Sequence, residues 1–204
     1  MPRPHASCPP RARIAAAALA MGALLPQVSA CGVAIGAGAT AGVAAYQERG
    51  LDGAARDTRT ATEIRAAFFT HNHVLPVKVS IEVYEGRVLL TGVVDDPALR
   101  ADAVRLAWKA GGVKDVINEI QIASEAGVLE FAHDSWITAQ LESRITLDKK
   151  ISAVNYSVET TNGIVYIIGI AQDQAELDRV IAYARSIDRV RQVVSHVRVK
   201  VQPS

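Results

Sequence analysis

Few residues in this chain could do chemistry, and those few do not cluster. The only thiols are Cys8 and Cys31, both ahead of the region where repeated structure begins, so no disulfide framework is on offer. His71 and His73 stand two residues apart, a spacing that brings two imidazoles to one metal only in an extended segment; in a helix-to-strand loop they read as solvated side chains. Asp95 and Asp96 are adjacent carboxylates, but an Asp ahead of a proline is first of all a helix N-cap. Neither a nucleophile elbow nor a phosphate-binding glycine loop occurs. The expectation is a protein that is not an enzyme and that takes no cofactor or metal.

Cys31 stands apart because of what precedes it. The first thirty residues hold Arg3, Arg11 and Arg13 and no acid; Ile14 to Leu25 is an almost unbroken apolar run, and Pro26-Gln27 then leads to the small residues Ser29 and Ala30. This is the three-part grammar of a secretory signal, and the run is shorter than the roughly 20 residues of a spanning helix. Val28-Ser29-Ala30-Cys31 resembles the lipobox of bacterial lipoproteins, which implies cleavage before Cys31 and a diacylglyceryl group on its sulfur. Gly32, where an Asp would resemble an inner-membrane retention signal, points by the same resemblance to the outer membrane. Residues 1–30 are thus expected to be a signal peptide and 31–56 a lipidated Gly/Ala-rich tether. Positions 32–45 suit either a flexible linker or a glycine-spaced helix at the membrane. With the three leader arginines set aside, 19 basic and 21 acidic side chains remain, so the bulk positive charge that nucleic acid would require is absent.

Displacing the sequence by 77 residues lays 57–123 over 134–200 without a gap. Glu85-Gly86-Arg87-Val88-Leu89-Leu90-Thr91-Gly92-Val93 falls on Asn162-Gly163-Ile164-Val165-Tyr166-Ile167-Ile168-Gly169-Ile170, and Val113, Val116, Ile120 and Ile122 fall on Val190, Val193, Val197 and Val199. Agreement at both glycines and along the apolar strand positions marks an internal duplication. In each copy a helix comes first: Thr60-x-x-Glu63 reads as a capping box ahead of Ile64, Ala67 and Phe68, and Ile137, Leu141 and Ile145 repeat the stripe. Val77, Val79, Ile81 and Val83, and then Val154, Tyr156 and Val158, alternate as a half-buried strand should. Glu85-Gly86 and Asn162-Gly163 suit a two-residue hairpin turn. Asp96-Pro97 and Asp173-x-x-Glu176 open a second helix, and Val116–Ile122 and Val193–Val201 supply the last strand. The expected fold is α+β: two tandem units at 57–123 and 134–201 joined by a linker at 124–133. Each is helix-strand-strand-helix-strand, with a three-stranded mixed sheet and both helices on one face.

The duplicated pattern, Gly86 to Gly92 followed by Gly112-Val113-x-x-Val116, and Gly163 to Gly169 followed by Arg189-Val190-x-x-Val193, resembles the BON domain family of periplasmic and outer-membrane proteins. Arg189 departs from the pattern where the first copy has Gly112, which should alter only a turn. Two such domains behind a lipobox resemble the dual-BON outer-membrane lipoproteins, and more loosely the osmotically inducible periplasmic members. That resemblance implies a role in envelope integrity or stress tolerance and binding of anionic phospholipid by the first helix of the second domain. The residues it singles out are Ser135, Trp136, Thr138, Arg144, Lys149 and Lys150. Trp136 lies beside the Ile137 stripe, where an indole suits a headgroup interface or packs on the linker; the cations either meet lipid phosphate or are merely solvated. Gly86 and Gly163 are assigned to turn geometry, and Gly92 and Gly169 to close approach of a helix to the strand end, a ligand on bare backbone being the alternative. On the outward side of the second copy's middle strand, Ile164, Tyr166 and Ile168 make a face too apolar to stay bare. It is expected to be covered by the first domain or to serve an envelope protein partner, which makes an interaction adaptor the competing function.

Overall fold

The computed structural model describes residues 47–123 and 128–201. The leader, Cys31 and the Gly/Ala-rich positions 32–45 lie outside the described residues. The first unit contains α1 (Gly50–His71), a single turn α2 (Leu75–Lys78), β1 (Val79–Tyr84), β2 (Arg87–Val94), α3 (Pro97–Ala107) and β3 (Asp115–Ile122). The second contains α4 (Val128–Leu147), a short 3-10 turn (Ala153–Asn155), β4 (Tyr156–Thr161), β5 (Ile164–Ala171), α5 (Gln174–Arg185) and β6 (Gln192–Val199). Each sheet has its hairpin antiparallel and its crossover strand parallel, in the order β1-β2-β3 and β4-β5-β6. Even the registers repeat: Val79 pairs with Gly92 and Tyr156 with Gly169, while Val88 pairs with Val116 and Val165 with Val193.

Local chemistry accounts for most of these boundaries. Asp96 caps α3 by accepting from the Ala98 amide, with Pro97 filling the first helical position, and Asp173 caps α5 by accepting from the Glu176 amide. Both hairpins turn through two residues of positive φ, Glu85 and Gly86 at 54° and 78° and Asn162 and Gly163 at 52° and 71°, the two-residue geometry that matches strand twist. Burial then joins the elements. In the first unit Ile64 and Phe68 of α1 and Ala103, Leu106 and Ala107 of α3 pack on one face of the sheet, against Ile81, Val88 and Leu90. In the second, Ile137, Leu141 and Ile145 of α4 meet Val158, Val165 and Ile167 in the same way.

Several expectations need correction. Both leading helices start earlier than expected, α1 at Gly50 inside the tether and α4 at Val128 inside the linker. Thr60 and Glu63 consequently sit within α1 and cap nothing: the Thr60 hydroxyl donates to the Gly111 carbonyl at 2.7 Å and the Glu63 carboxylate accepts from the Gly111 amide at 2.8 Å. The pair clamps a loop from another part of the domain, a use that local spacing does not reveal. Val77 and Val154 do not begin strands but lie in the helical turns before them, and Val77 is 79% exposed. Arg189 does not alter its turn: it holds φ at 65° where Gly112 holds 85°, accepting a strain of about 1 kcal/mol or more for a residue with a Cβ.

The two sheets face each other. Tyr84 and Leu89 of the first domain and Tyr166 and Ile168 of the second form a separate buried cluster, and the polar contacts around it obey a pseudo-twofold rule. Ser80 donates to Glu159 at 3.0 Å, and Ser157 donates to Glu82. Asn162 donates to Gln121 at 2.9 Å, and Arg198 donates to Glu85. In each case the second contact joins the residues 77 positions removed, with the domains exchanged. Glu119 and His196, themselves one such equivalent pair, meet at 2.9 Å, which puts the pseudo-dyad beside them.

Candidate functional site

α4 is the element that separates the chemistry of this surface into sides. Its core stripe, Ile137, Leu141 and Ile145, is 1%, 0% and 2% exposed. A second side holds Trp136, which is 47% exposed, and Leu147, 78% exposed; eleven residues make about three turns, so the two share one face. Lys149 and Lys150 follow in the exposed turn after the helix, with the Lys150 amide bonded to the Asp148 carboxylate at 2.9 Å. That bond, joined by the Tyr183 hydroxyl, holds the Asp148 carboxyl below its ordinary range. Arg144 is half-buried and donates to the Ser186 hydroxyl at 2.7 Å, so it braces α4 against the end of α5.

The remaining residues singled out by the family resemblance lie elsewhere. Thr138 donates to the Thr160 hydroxyl at 2.8 Å. Ser135 and Thr138 line a groove of about 790 Å³ between the domains, on a side of α4 away from Trp136. The structure therefore places Trp136, Lys149 and Lys150 on the outer surface and does not bring Ser135 or Thr138 to them. Leu147 was missed by sequence reasoning, although its spacing from Trp136 would have found it.

The adaptor reading had put a partner on Ile164, Tyr166 and Ile168. That face is filled by the first domain: Tyr166 and Ile168 are 2% and 0% exposed, and Ile164 is partly buried against the same cluster. A pairing of two sheets buries what one sheet cannot leave bare, so in this arrangement no partner can dock there.

Gly92 and Gly169 have φ of 129° and 153°, and a Cβ on either would overlap the carbonyl oxygen of Lys78 or Asn155, the residue just ahead of the paired strand. Backbone of this chain, rather than a ligand, takes up the space beside each. Asp57 and Asp134, which sequence reasoning did not single out for this role, clamp the hairpin turns. Asp57 accepts from the amides of Glu85 and Gly86 at 2.8 and 2.9 Å, and Asp134 from those of Asn162 and Gly163 at 2.6 and 2.8 Å. His71 bonds to Asp102 at 2.8 Å and His73 lies edge-on to Phe69, so the two histidines serve different neighbours. Among the described residues no three His, Cys, Asp or Glu side chains lie where one metal ion could meet them.

A tandem pair of helix-strand-strand-helix-strand units, docked sheet to sheet, defines a duplicated α+β module of the BON type. The chain belongs to the BON domain family, whose profile matches residues 56–124 and 133–201. It is 45% identical over 129 residues to a protein of the gshII 5′ region of Anaplasma centrale, an alignment that covers 63% of this chain and 85% of that one. Osmotically-inducible protein Y of Escherichia coli K12 is 27% identical across 71% of this chain and 73% of its own length. Outer membrane lipoprotein DolP of Haemophilus influenzae is 33% identical over 99 residues, 48% of this chain and 51% of that protein.

Proposed function

We propose that this protein is a non-enzymatic envelope lipoprotein. It is anchored in the outer membrane by lipid on Cys31, faces the periplasm, binds anionic phospholipid through the second BON domain, and supports outer-membrane integrity or stress tolerance. The observation that carries the reading is the outer face of α4, where the half-exposed indole of Trp136 and the exposed Leu147 lie on one line leading to Lys149 and Lys150. An indole and an aliphatic side chain suit the headgroup and acyl boundary, and each cation near an anionic leaflet contributes about 1 kcal/mol. Similarity to an outer-membrane lipoprotein and to an osmotically inducible protein supports the envelope setting.

The test is vesicle flotation of the chain lacking residues 1–30 and carrying Cys31→Ser, so that no acyl group contributes. Flotation with phosphatidylglycerol vesicles, not with phosphatidylcholine alone, weakened by salt and lost in Trp136→Glu, is the expected result. Equal behaviour of the two vesicle types, or of the variant and the parent, would overturn the lipid reading. Metabolic palmitate labelling of the full chain, absent in Cys31→Ser, tests the anchor separately.

A further inference from the structure

The duplication repeats the acceptors of one arginine-binding notch, and among the described residues an arginine fills only the first. Ahead of α1, residues Gln47–Arg49 lie across both domains: the Gln47 side chain donates to the Val154 carbonyl and the Glu48 amide to Asn155, each at 2.9 Å. Arg49 then turns its guanidinium inward. Its Nη1 donates to Asp57 Oδ2 at 2.7 Å and to the Val83 carbonyl at 2.9 Å, its Nε donates to Gln47, and its Cζ lies over the Tyr84 ring, 4.7 Å from the ring centre. The side chain is 16% exposed. A buried guanidinium is tolerated only when its donors are matched, and this one meets a carboxylate, a backbone carbonyl and a side-chain amide.

The second domain repeats the acceptors. Asp134 replaces Asp57 and clamps the equivalent turn, and Thr160 stands for Val83 on the edge strand β4. In the sequence Ala126 occupies the place of Arg49, and no described arginine is bonded to Asp134. What lies beside Asp134 and Thr160 is the groove of about 790 Å³, within the roughly 300–1,000 Å³ that encloses a drug-sized ligand and more than one guanidinium fills. Its lining carries Lys78 beside the acidic groups, and Glu142 stands where the first domain has Arg65. Glu159 lines it as well, its carboxyl pushed up by burial and by the nearby charges of Glu142 and Asp134. Phe131 and Val77, 73% and 79% exposed, flank it with apolar surface.

We infer that this groove binds an extended peptide segment of a partner protein through an arginine side chain held by Asp134 and Thr160, as Arg49 is held by Asp57 and Val83. Apolar residues beside that arginine rest on Phe131 and Val77. Glu142 supplies further negative charge, and the planar fork of arginine suits several acceptors where the compact ammonium of lysine does not. The site is independent of the membrane reading, because the groove and Trp136 lie on different sides of α4. A protein held at the membrane through one side of this helix remains able to grip a basic segment with the other.

The test is fluorescence anisotropy of a labelled Gly-Leu-Arg-Gly-Leu-Gly peptide with the full mature chain, beside the same peptide carrying citrulline or lysine in place of arginine. The arginine peptide should bind, and the citrulline peptide about tenfold more weakly or worse, since one partner of a shielded charge pair is lost. Glu142→Lys, an exposed position outside both cores, should weaken the arginine peptide at least as much, with an unchanged thermal transition. Asp134→Asn should do the same if circular dichroism shows the turn intact. No binding of the arginine peptide, equal binding of citrulline, or indifference to Glu142→Lys would overturn the inference. Displacement by spermine or phosphoethanolamine at concentrations below those of the peptide would assign the groove to a small amine instead. Failure of Trp136→Glu to alter peptide binding is expected and bears on neither result in flotation.

Discussion

Replacing Ile168 by aspartate should separate the two domains without unfolding either. Ile168 is fully buried, yet it belongs to the cluster between the sheets and not to the core of its own domain, so the substitution penalises docking alone. Loss of isoleucine burial removes about 1.5–3 kcal/mol. A carboxyl that must stay protonated to remain in that site at neutral pH costs about 4 kcal/mol more, three pKa units at ~1.36 kcal/mol each. A total near 6 kcal/mol lowers the docked population by about four orders of magnitude. Small-angle scattering should show a larger radius of gyration, and backbone 15N relaxation should show two shorter, distinct correlation times, with the amide dispersion of both domains retained. Lowering the pH towards 4 removes the ionisation part of the penalty and should draw the domains together again. Unchanged scattering at pH 7 would refute the sheet-to-sheet packing, and collapse of the second domain's dispersion would show that Ile168 supports that domain itself.

Two further changes test the interior. Burial, reinforced by the charge of Glu159, holds the Glu82 carboxyl above its ordinary value; its favourable contribution is therefore complete below about pH 4.5 and is lost as pH rises through the folded-state value. Glu82→Gln, which keeps an acceptor for Ser157, should raise the urea midpoint at pH 7 and narrow its advantage over the parent as pH falls to 5; an advantage that grows on acidification would contradict the assignment. Gly92→Ala puts a Cβ onto the Lys78 carbonyl at a φ of 129°, and should lower stability by about 3 kcal/mol or more, read as a lower Tm; a Tm within a degree of the parent would show that the strand end can shift at little cost.

Sequence alone carried much of what depends on neighbours along the chain, though not the starts of α1 and α4 or the helical turns at Val77 and Val154. The duplication, the two I′-type turns at Glu85-Gly86 and Asn162-Gly163, the capped starts of α3 and α5, and the mixed sheets follow from periodicity, turn chemistry and handedness, which act over a few residues and leave their mark at fixed spacing. The profile match to both repeats agrees with that reading. Tertiary structure decided what distant segments do to one another. Thr60 and Glu63 have the spacing of a cap but grip Gly111, because a helix that starts ten residues earlier leaves them beside a loop from 48 residues away. Ile164, Tyr166 and Ile168 are covered by the first domain, since only three-dimensional docking could choose between that domain and a foreign partner. Ser135 and Thr138 parted from Trp136 for a related reason: the sides of α4 take their meaning from what packs beside them. The helical spacing was visible in the chain, but the groove that gives two of those residues a different neighbour exists only once the domains are docked.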